Sequence, residues 1–141
     1  MTRINVVPPR ALCNEHLLAE AREIKRVPNV INSGRYSLSG MPSTYVLGTG
    51  HVKFFYNKLG WLLKRYKALY SECLERGFNV TDFSGAWEGV PSKLMGSWDC
   101  TQEAVFLNRK RIEERLAEME KIHYFNNKIS SKEAKNILWD S

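Results

Sequence analysis

Leu17, Ala21 and Ile24 recur at i, i+4 and i+7, with Leu18 beside them, and so mark one apolar stripe of an amphipathic helix. His16, Glu20 and Glu23 repeat at the same spacing on another face. Arg22 flanks that row, and Arg26 lies a turn beyond Glu23. The helix is expected to begin near Pro9 or Asn14, with Asn14 as a candidate cap, and to end near Val27-Pro28. Residues 2–10 contain Val6-Val7-Pro8-Pro9, an extended stretch whose prolines fix its direction. A second stripe runs Val52, Phe55, Leu59, Leu62, Tyr66, Leu69, Cys73 in alternating steps of three and four. It predicts a helix of about 26 residues, ~39 Å long, closed by Gly77 as a left-handed cap with Phe78 folding back. Lys53, Lys58, Lys64, Arg65 and Lys67 decorate its remaining surface.

A third helix starts at Thr101, a plausible N-cap with Glu103 in the first turn, and buries Val105, Ile112, Leu116 and Met119. Between the second and third helices, a loop region carries Trp87 and Trp98, expected to pack over the helices. The capping-box pattern Ser130-Ser131-Lys132-Glu133 opens a short last helix ending near Trp139. These patterns predict an all-α fold, a single compact domain over residues 1–141. It has three main helices, long loops, an extended N-terminal segment packed against the helices and a short extra C-terminal helix.

Composition agrees with a globular chain: 141 residues, 43% hydrophobic and 26% charged. The net charge of +6 is unevenly spread. Residues 1–76 hold twelve Lys/Arg against five Asp/Glu, and residues 77–141 hold nine against ten, so a polyanion meets the front half first. Cys13, Cys73 and Cys100 are odd in number and far apart, which argues for free thiols and against a disulfide framework or a zinc site. No signal peptide or membrane-length apolar run is evident, and a cytoplasmic location is expected. Gly48-Thr49-Gly50 follows no convincing strand and lacks a third glycine, so a nucleotide cradle is not supported. Arg109-Lys110-Arg111 and Arg115 form a basic band on the third helix, with Glu113, Glu114, Glu118 and Glu120 further along. By itself that band reads equally as a solvated, salt-bridged face or as a polyanion contact.

The first residues, Met1-Thr2-Arg3-Ile4-Asn5, place a small residue after the initiator, which permits its trimming and leaves Thr2 with a free α-amine. Such an amine has a pKa of about 7.7–8.0, so a useful fraction is an uncharged nucleophile at neutral pH.

Four blocks occur in order: Met1 to Asn5; Glu-His-Leu-Leu-Ala-Glu-Ala-Arg-Glu (Glu15 to Glu23); Leu-Gly-Thr-Gly-His-Val-Lys-Phe-Phe-Tyr-Asn-Lys-Leu (Leu47 to Leu59); and Glu-Cys-Leu-Glu-Arg-Gly-Phe-Asn-Val (Glu72 to Val80). Together they resemble the T-even phage pyrimidine-dimer DNA glycosylase/AP lyase family, the endonuclease V family. The resemblance is strong from Met1 to about Val80, patchy through the third helix and poor beyond about Lys121. It implies a bifunctional DNA repair enzyme acting on cis-syn cyclobutane pyrimidine dimers in double-stranded DNA. Glycosidic cleavage would proceed through an imine with the Thr2 α-amine, assisted by Glu23, with β-elimination to follow. By the same resemblance Arg3, His16, Arg22, Arg26, Arg111 and Arg115 contact DNA. No metal or cofactor is required. The partner is duplex DNA carrying dimers or abasic sites, bound kinked with an adenine extracted, and a monomer suffices without an obligate protein partner.

This chain also departs from the family. Only Arg35 is charged in the 29–44 loop, Glu15 stands where the family commonly has an amide, and Ala21 replaces a larger aromatic. The aromatic tail is reduced to Ile122-His123-Tyr124-Phe125-Asn126-Asn127. Two other readings follow from these departures: a non-catalytic basic DNA-binding module of the same fold, or a glycosylase/lyase for a different damaged base. A Glu15 carboxylate is expected to repel phosphate or perturb His16, and Ala21 to loosen the pocket.

Overall fold

The computed structural model describes residues 2–141. A short 3₁₀ turn, Pro9–Ala11, leads into α1 (Asn14–Glu23) and α2 (Arg26–Ser33). After a long loop and a second 3₁₀ turn, Lys53–Phe55, come α3 (Leu59–Glu75) and α4 (Gln102–Glu118). The chain closes with β1 (Ile122–Tyr124), β2 (Asn127–Ile129) and α5 (Ser131–Asp140). The fold is thus mostly helical but not strictly all-α. β1 and β2 form an antiparallel hairpin, Ile122 opposite Ile129 and Tyr124 opposite Asn127. Among the described residues no helix is long and apolar enough to cross a membrane.

The first helical stretch runs past the expected stop at Val27-Pro28, with a break at Ile24-Lys25 instead. Proline has no N–H, so the Ile24 carbonyl loses its helical donor and accepts from Val27 N at 3.2 Å in a tighter turn. Pro28 then falls in the first turn of α2, where a missing donor costs little. Asn14 is not a cap: Cys13 holds that position without a side-chain bond. The Asn14 amide reaches across to the hairpin, donating to Phe125 O at 2.8 Å and accepting from Phe125 N at 3.1 Å. Those bonds hold Phe125, whose φ of 54° is unusual for a bulky residue, at the hairpin turn.

The second stripe is core from Phe55 on, with Phe55, Leu59, Leu62, Tyr66, Leu69 and Cys73 buried and Val52 half-buried at its start. The regular helix, however, starts only at Leu59. Where it starts, the backbone passes close to the 95–96 loop. A Cβ on Gly60 would lie 2.7 Å from Met95 O, and one on Gly96 would lie 2.3 Å from Asn57 O. Trp61 N donates to Gly96 O at 3.0 Å across this contact. At the far end the expected cap is present. Gly77 has φ 84°, and Phe78 N bonds back to Cys73 O at 2.9 Å.

Trp87 and Trp98 pack over the helices as expected, Trp87 donating to Leu59 O at 3.0 Å and Trp98 stacking on Tyr45. Thr101 caps α4 by accepting from Ala104 N, and Ser130 with Glu133 closes a full capping box on α5. The buried side of α4 is Ala104, Asn108, Ile112 and Leu116, whereas Val105 and Met119 are half-buried at its edge. Cys13 and Cys73 are buried thiols and Cys100 is exposed, all three free.

Candidate active site

The site is organised by the segment Thr2–Val7, which crosses the faces of α1, α3 and α4 and is tied down by buried polar groups. Glu20 points inward, its side chain 1% exposed, and forms a two-bond ion pair with Arg65 at 2.9 Å for each bond. The same carboxylate accepts from Asn5 N at 3.2 Å and Asn5 Nδ2 at 2.9 Å. Arg65 also donates to the Val7 carbonyl. Asn108, fully buried on α4, accepts from Val6 N at 2.7 Å and Val7 N at 3.3 Å, and donates to Asn5 Oδ1 at 2.9 Å. Glu20 and Arg65 are therefore not the surface charges that their positions beside the stripes suggest. A buried ion pair is stable only when its remaining hydrogen-bonding capacity is met, and here the N-terminal backbone meets it.

With the segment fixed, Arg3, Asn5, His16, Ala19, Glu20, Glu23, Ile112 and Arg115 line a cleft of about 280 Å³. Four of the sequence-derived candidates thus meet there: Arg3, His16, Glu23 and Arg115. Glu23 is held loosely, 3.6 Å from Arg22 Nη2 and 3.9 Å from Arg26 Nη1. Arg26 Nη1 also lies 3.5 Å from the Thr2 hydroxyl, so one guanidinium touches both members of the proposed catalytic pair. Thr2 is buried and lines a neighbouring depression with Gly48, Thr49, Gly50 and Lys53, while Arg3 faces the cleft. Met1, whose removal would free the Thr2 amine, lies outside the described residues.

Electrostatics in the cleft are dominated by arginine. Burial and the charges of Arg115 and Arg111 lower the pKa of Arg3, against a smaller favourable effect of Glu23. A guanidinium remains protonated in any case, so Arg3 is a cation drawn partly out of water. His16 is lowered to about 4, mainly by burial and then by the positive charge of Arg3. It is therefore a neutral imidazole at physiological pH, and its buried Nδ1 has no hydrogen-bond partner. Arg111 lies outside the cleft lining, paired with Glu114 at 3.6 Å. Of the basic band on α4, Arg109 is diverted entirely. It donates to Leu138 O at 3.2 Å and Ser141 O at 2.6 Å, at the end of α5.

Neither departure on α1 lines this cleft, but the Glu15 charge does act on His16 as expected, raising it against the larger lowering by burial and Arg3. Glu15 turns toward the hairpin, accepting from His123 N at 2.9 Å and from His123 Nδ1 at 2.6 Å. Ala21 lines a different, mostly apolar depression of about 350 Å³ on the other face of α1, with Leu18, Tyr66, Tyr70 and Phe83. Arg22 and Lys25 stand at its edge. Among the described residues, no three His, Cys, Asp or Glu side chains come together as a metal-holding group.

Sequence reasoning missed the polar residues that hold the terminal segment: Asn5, Tyr45, His51, Asn108, and the inward roles of Glu20 and Arg65. A signal was available for three of them. Glu20 lies three residues after Leu17, Arg65 three after Leu62, and Asn108 four before Ile112, so each sits on an apolar stripe. A polar group on such a stripe has to find a buried partner.

The helical scaffold thus sets the Glu23 carboxylate near four arginines, Arg3 and Arg115 in the cleft lining and Arg22 and Arg26 beside it. A family model for pyrimidine dimer DNA glycosylase matches residues 1–84, more than half of the chain. The chain belongs to that family of DNA-repair glycosylases.

Proposed function

We propose that the protein excises cyclobutane pyrimidine dimers from ultraviolet-damaged double-stranded DNA. N-glycosidic cleavage proceeds through an imine with the Thr2 α-amine, and β-elimination then cuts the strand. The observation that supports this reading is the single guanidinium of Arg26, which reaches both the Thr2 hydroxyl and the Glu23 carboxylate at the edge of the cationic cleft. Once residue 1 is removed, the uncharged amine attacks C1′ of the damaged nucleotide and the base departs with the bonding electrons. Glu23 stabilises the positive charge that develops on the sugar. Opening of the sugar ring gives the imine, which acidifies the C2′ proton, and loss of that proton expels the 3′ phosphate. Arg3, Arg22, Arg26, Arg111 and Arg115 hold the phosphates around the lesion, and neutral His16 offers a polar contact rather than a charge. The apolar depression beside Arg22, walled by Tyr66, Tyr70 and Phe83, suits a base turned out of the duplex.

The test is nicking of irradiated supercoiled plasmid against an unirradiated control, with borohydride in a parallel reaction. Irradiation-dependent nicks and an adduct mapped to Thr2 are expected. Adducts on abasic DNA alone would mean that dimer recognition is absent, and binding without adducts would leave a non-catalytic module. Glu23→Gln is expected to keep duplex binding and to slow cleavage by about a hundredfold to a thousandfold. Parallel loss of binding would make Glu23 structural.

A further inference from the structure

The imine chemistry needs the Thr2 amine at a fixed point, and one residue that does much to fix its neighbourhood has no part in the chemistry described so far. His51 follows the Gly48-Thr49-Gly50 turn and is 4% exposed. Its Nδ1 lies 2.8 Å from the Val46 carbonyl oxygen, which can only accept, so the ring proton resides on Nδ1. Nε2 is then a bare acceptor, and Ile4 N–H donates to it at 2.8 Å. The Tyr45 hydroxyl donates to the Ile4 carbonyl at 3.0 Å, so a single loop holds both polar groups of one peptide residue. Tyr45 and Phe55 pack edge-on against the imidazole, with centroids 5.4 and 5.9 Å away, and oppose its rotation. Thr2 lies two residues from Ile4. With a reach of about 3.5 Å per residue, its amine can stray no more than ~7 Å once Ile4 is held.

We propose that His51 is a positioning residue for the Thr2 nucleophile, its neutral imidazole fixing Ile4 so that the amine stands at the Glu23 cleft. The inference rests on the imine mechanism proposed above. It assigns the Gly-Thr-Gly-His loop a task that needs no phosphate. The turn delivers an acceptor to a buried backbone N–H. A glutamine in place of His51 can reproduce both bonds, its amide N–H to Val46 O and its amide oxygen to Ile4 N–H. Leucine fills similar space and reproduces neither.

The experiment compares wild type, His51→Leu and His51→Gln in single-turnover borohydride trapping on an abasic duplex oligonucleotide, with Kd for the same duplex measured by anisotropy. At saturating DNA, His51→Leu is expected to slow trapping by about tenfold or more with Kd unchanged, and His51→Gln to restore most of the rate. Slowing of less than about threefold in folded His51→Leu overturns the assignment, because a displaced nucleophile loses more than that. Equal losses in binding and trapping, with no rescue by glutamine, overturn it too and leave His51 a packing residue. Should His51→Leu fail to fold, Tyr45→Phe decides. It removes one hydroxyl from the other side of Ile4, and an unchanged trapping rate at saturating DNA overturns the proposal, while a slower rate with unchanged Kd supports it. Absence of trapping by wild type would overturn the imine reading itself and this inference with it.

Discussion

Residues 2–7 and residues 122–141 are both chain-end segments lying against the same helices, and they are held by different physics. The first is almost without local structure, and its polar holds come from far away in sequence: Glu20, Arg26, Tyr45, His51, Arg65 and Asn108. Most of those holds are buried, directional and mutually dependent. The second makes its own structure from a two-residue turn and a capping box. It then docks by apolar contacts of Ile122, Ala134 and Leu138 and by bonds nearer the surface, such as Trp139 Nε1 to Glu113 at 2.9 Å. On the imine mechanism proposed above, the first segment has to present a reactive group at one point, and polar groups with definite directions fix it. A segment that only closes the core is fixed by area and local propensity.

That contrast breaks most sharply at Glu20. Glu20→Ala leaves Arg65 charged and unpaired in the core and should destabilise the fold by about 3–5 kcal/mol, read from urea unfolding. A loss near the surface-pair value, below ~1 kcal/mol, would mean that the terminal segment is held by its apolar residues instead. In the other segment, Ser130→Ala removes one cap and should cost about 1 kcal/mol, with DNA cleavage unchanged. Lost cleavage in that variant would show that α5 is coupled to the site.

The smallest effect belongs to the Glu15–His123 contact that ties the hairpin to α1. Burial alone would raise the Glu15 carboxyl, but hydrogen bonds from the His123 backbone and ring outweigh it and hold the group below the ordinary carboxylate range. A carboxyl depressed in the folded state contributes stability above its unfolded pKa and loses it as pH falls through the folded value. With a side chain one-third exposed, the contribution should be no more than about 1 kcal/mol. The stability difference between wild type and Glu15→Gln should therefore be present at pH 6 and shrink steadily below pH 4.5. A difference that stays flat across that range would assign the effect to packing.

The same division explains what could be read in the chain. Thr101, Gly77 and Ser130 act within a few residues of themselves, so their caps were legible, as were the stripes of α1, α3 and α4. The meeting of Arg3, His16, Glu23 and Arg115 followed from helix spacing and from the family resemblance. The start at Leu59 was not legible, because nothing near it in the chain announces that Met95 and Gly96 pack against Lys58 and Gly60. Nor was the hairpin, since Phe125 at positive φ is not a turn-former and depends on Asn14 far upstream. Arg65 looked like one more cation among lysines, although its place three residues after Leu62 sets it on the apolar stripe, where it is buried against Glu20.

The hold of Asn108 on Val6 spans 102 residues, and this has a consequence for how the protein matures. Thr2 is made well before α4, yet the groups that seat its segment are not complete until α4 has been made. Until then, the leading residues lack the bonds of Asn108 to Val6 and Val7 and are less firmly seated. In the finished fold Thr2 is only 9% exposed. Removal of residue 1 on the nascent chain, before the last helices close over its neighbours, is the step that would turn a buried amide into a nucleophile. On the imine mechanism proposed above, the nucleophile would be a product of timing as well as of sequence.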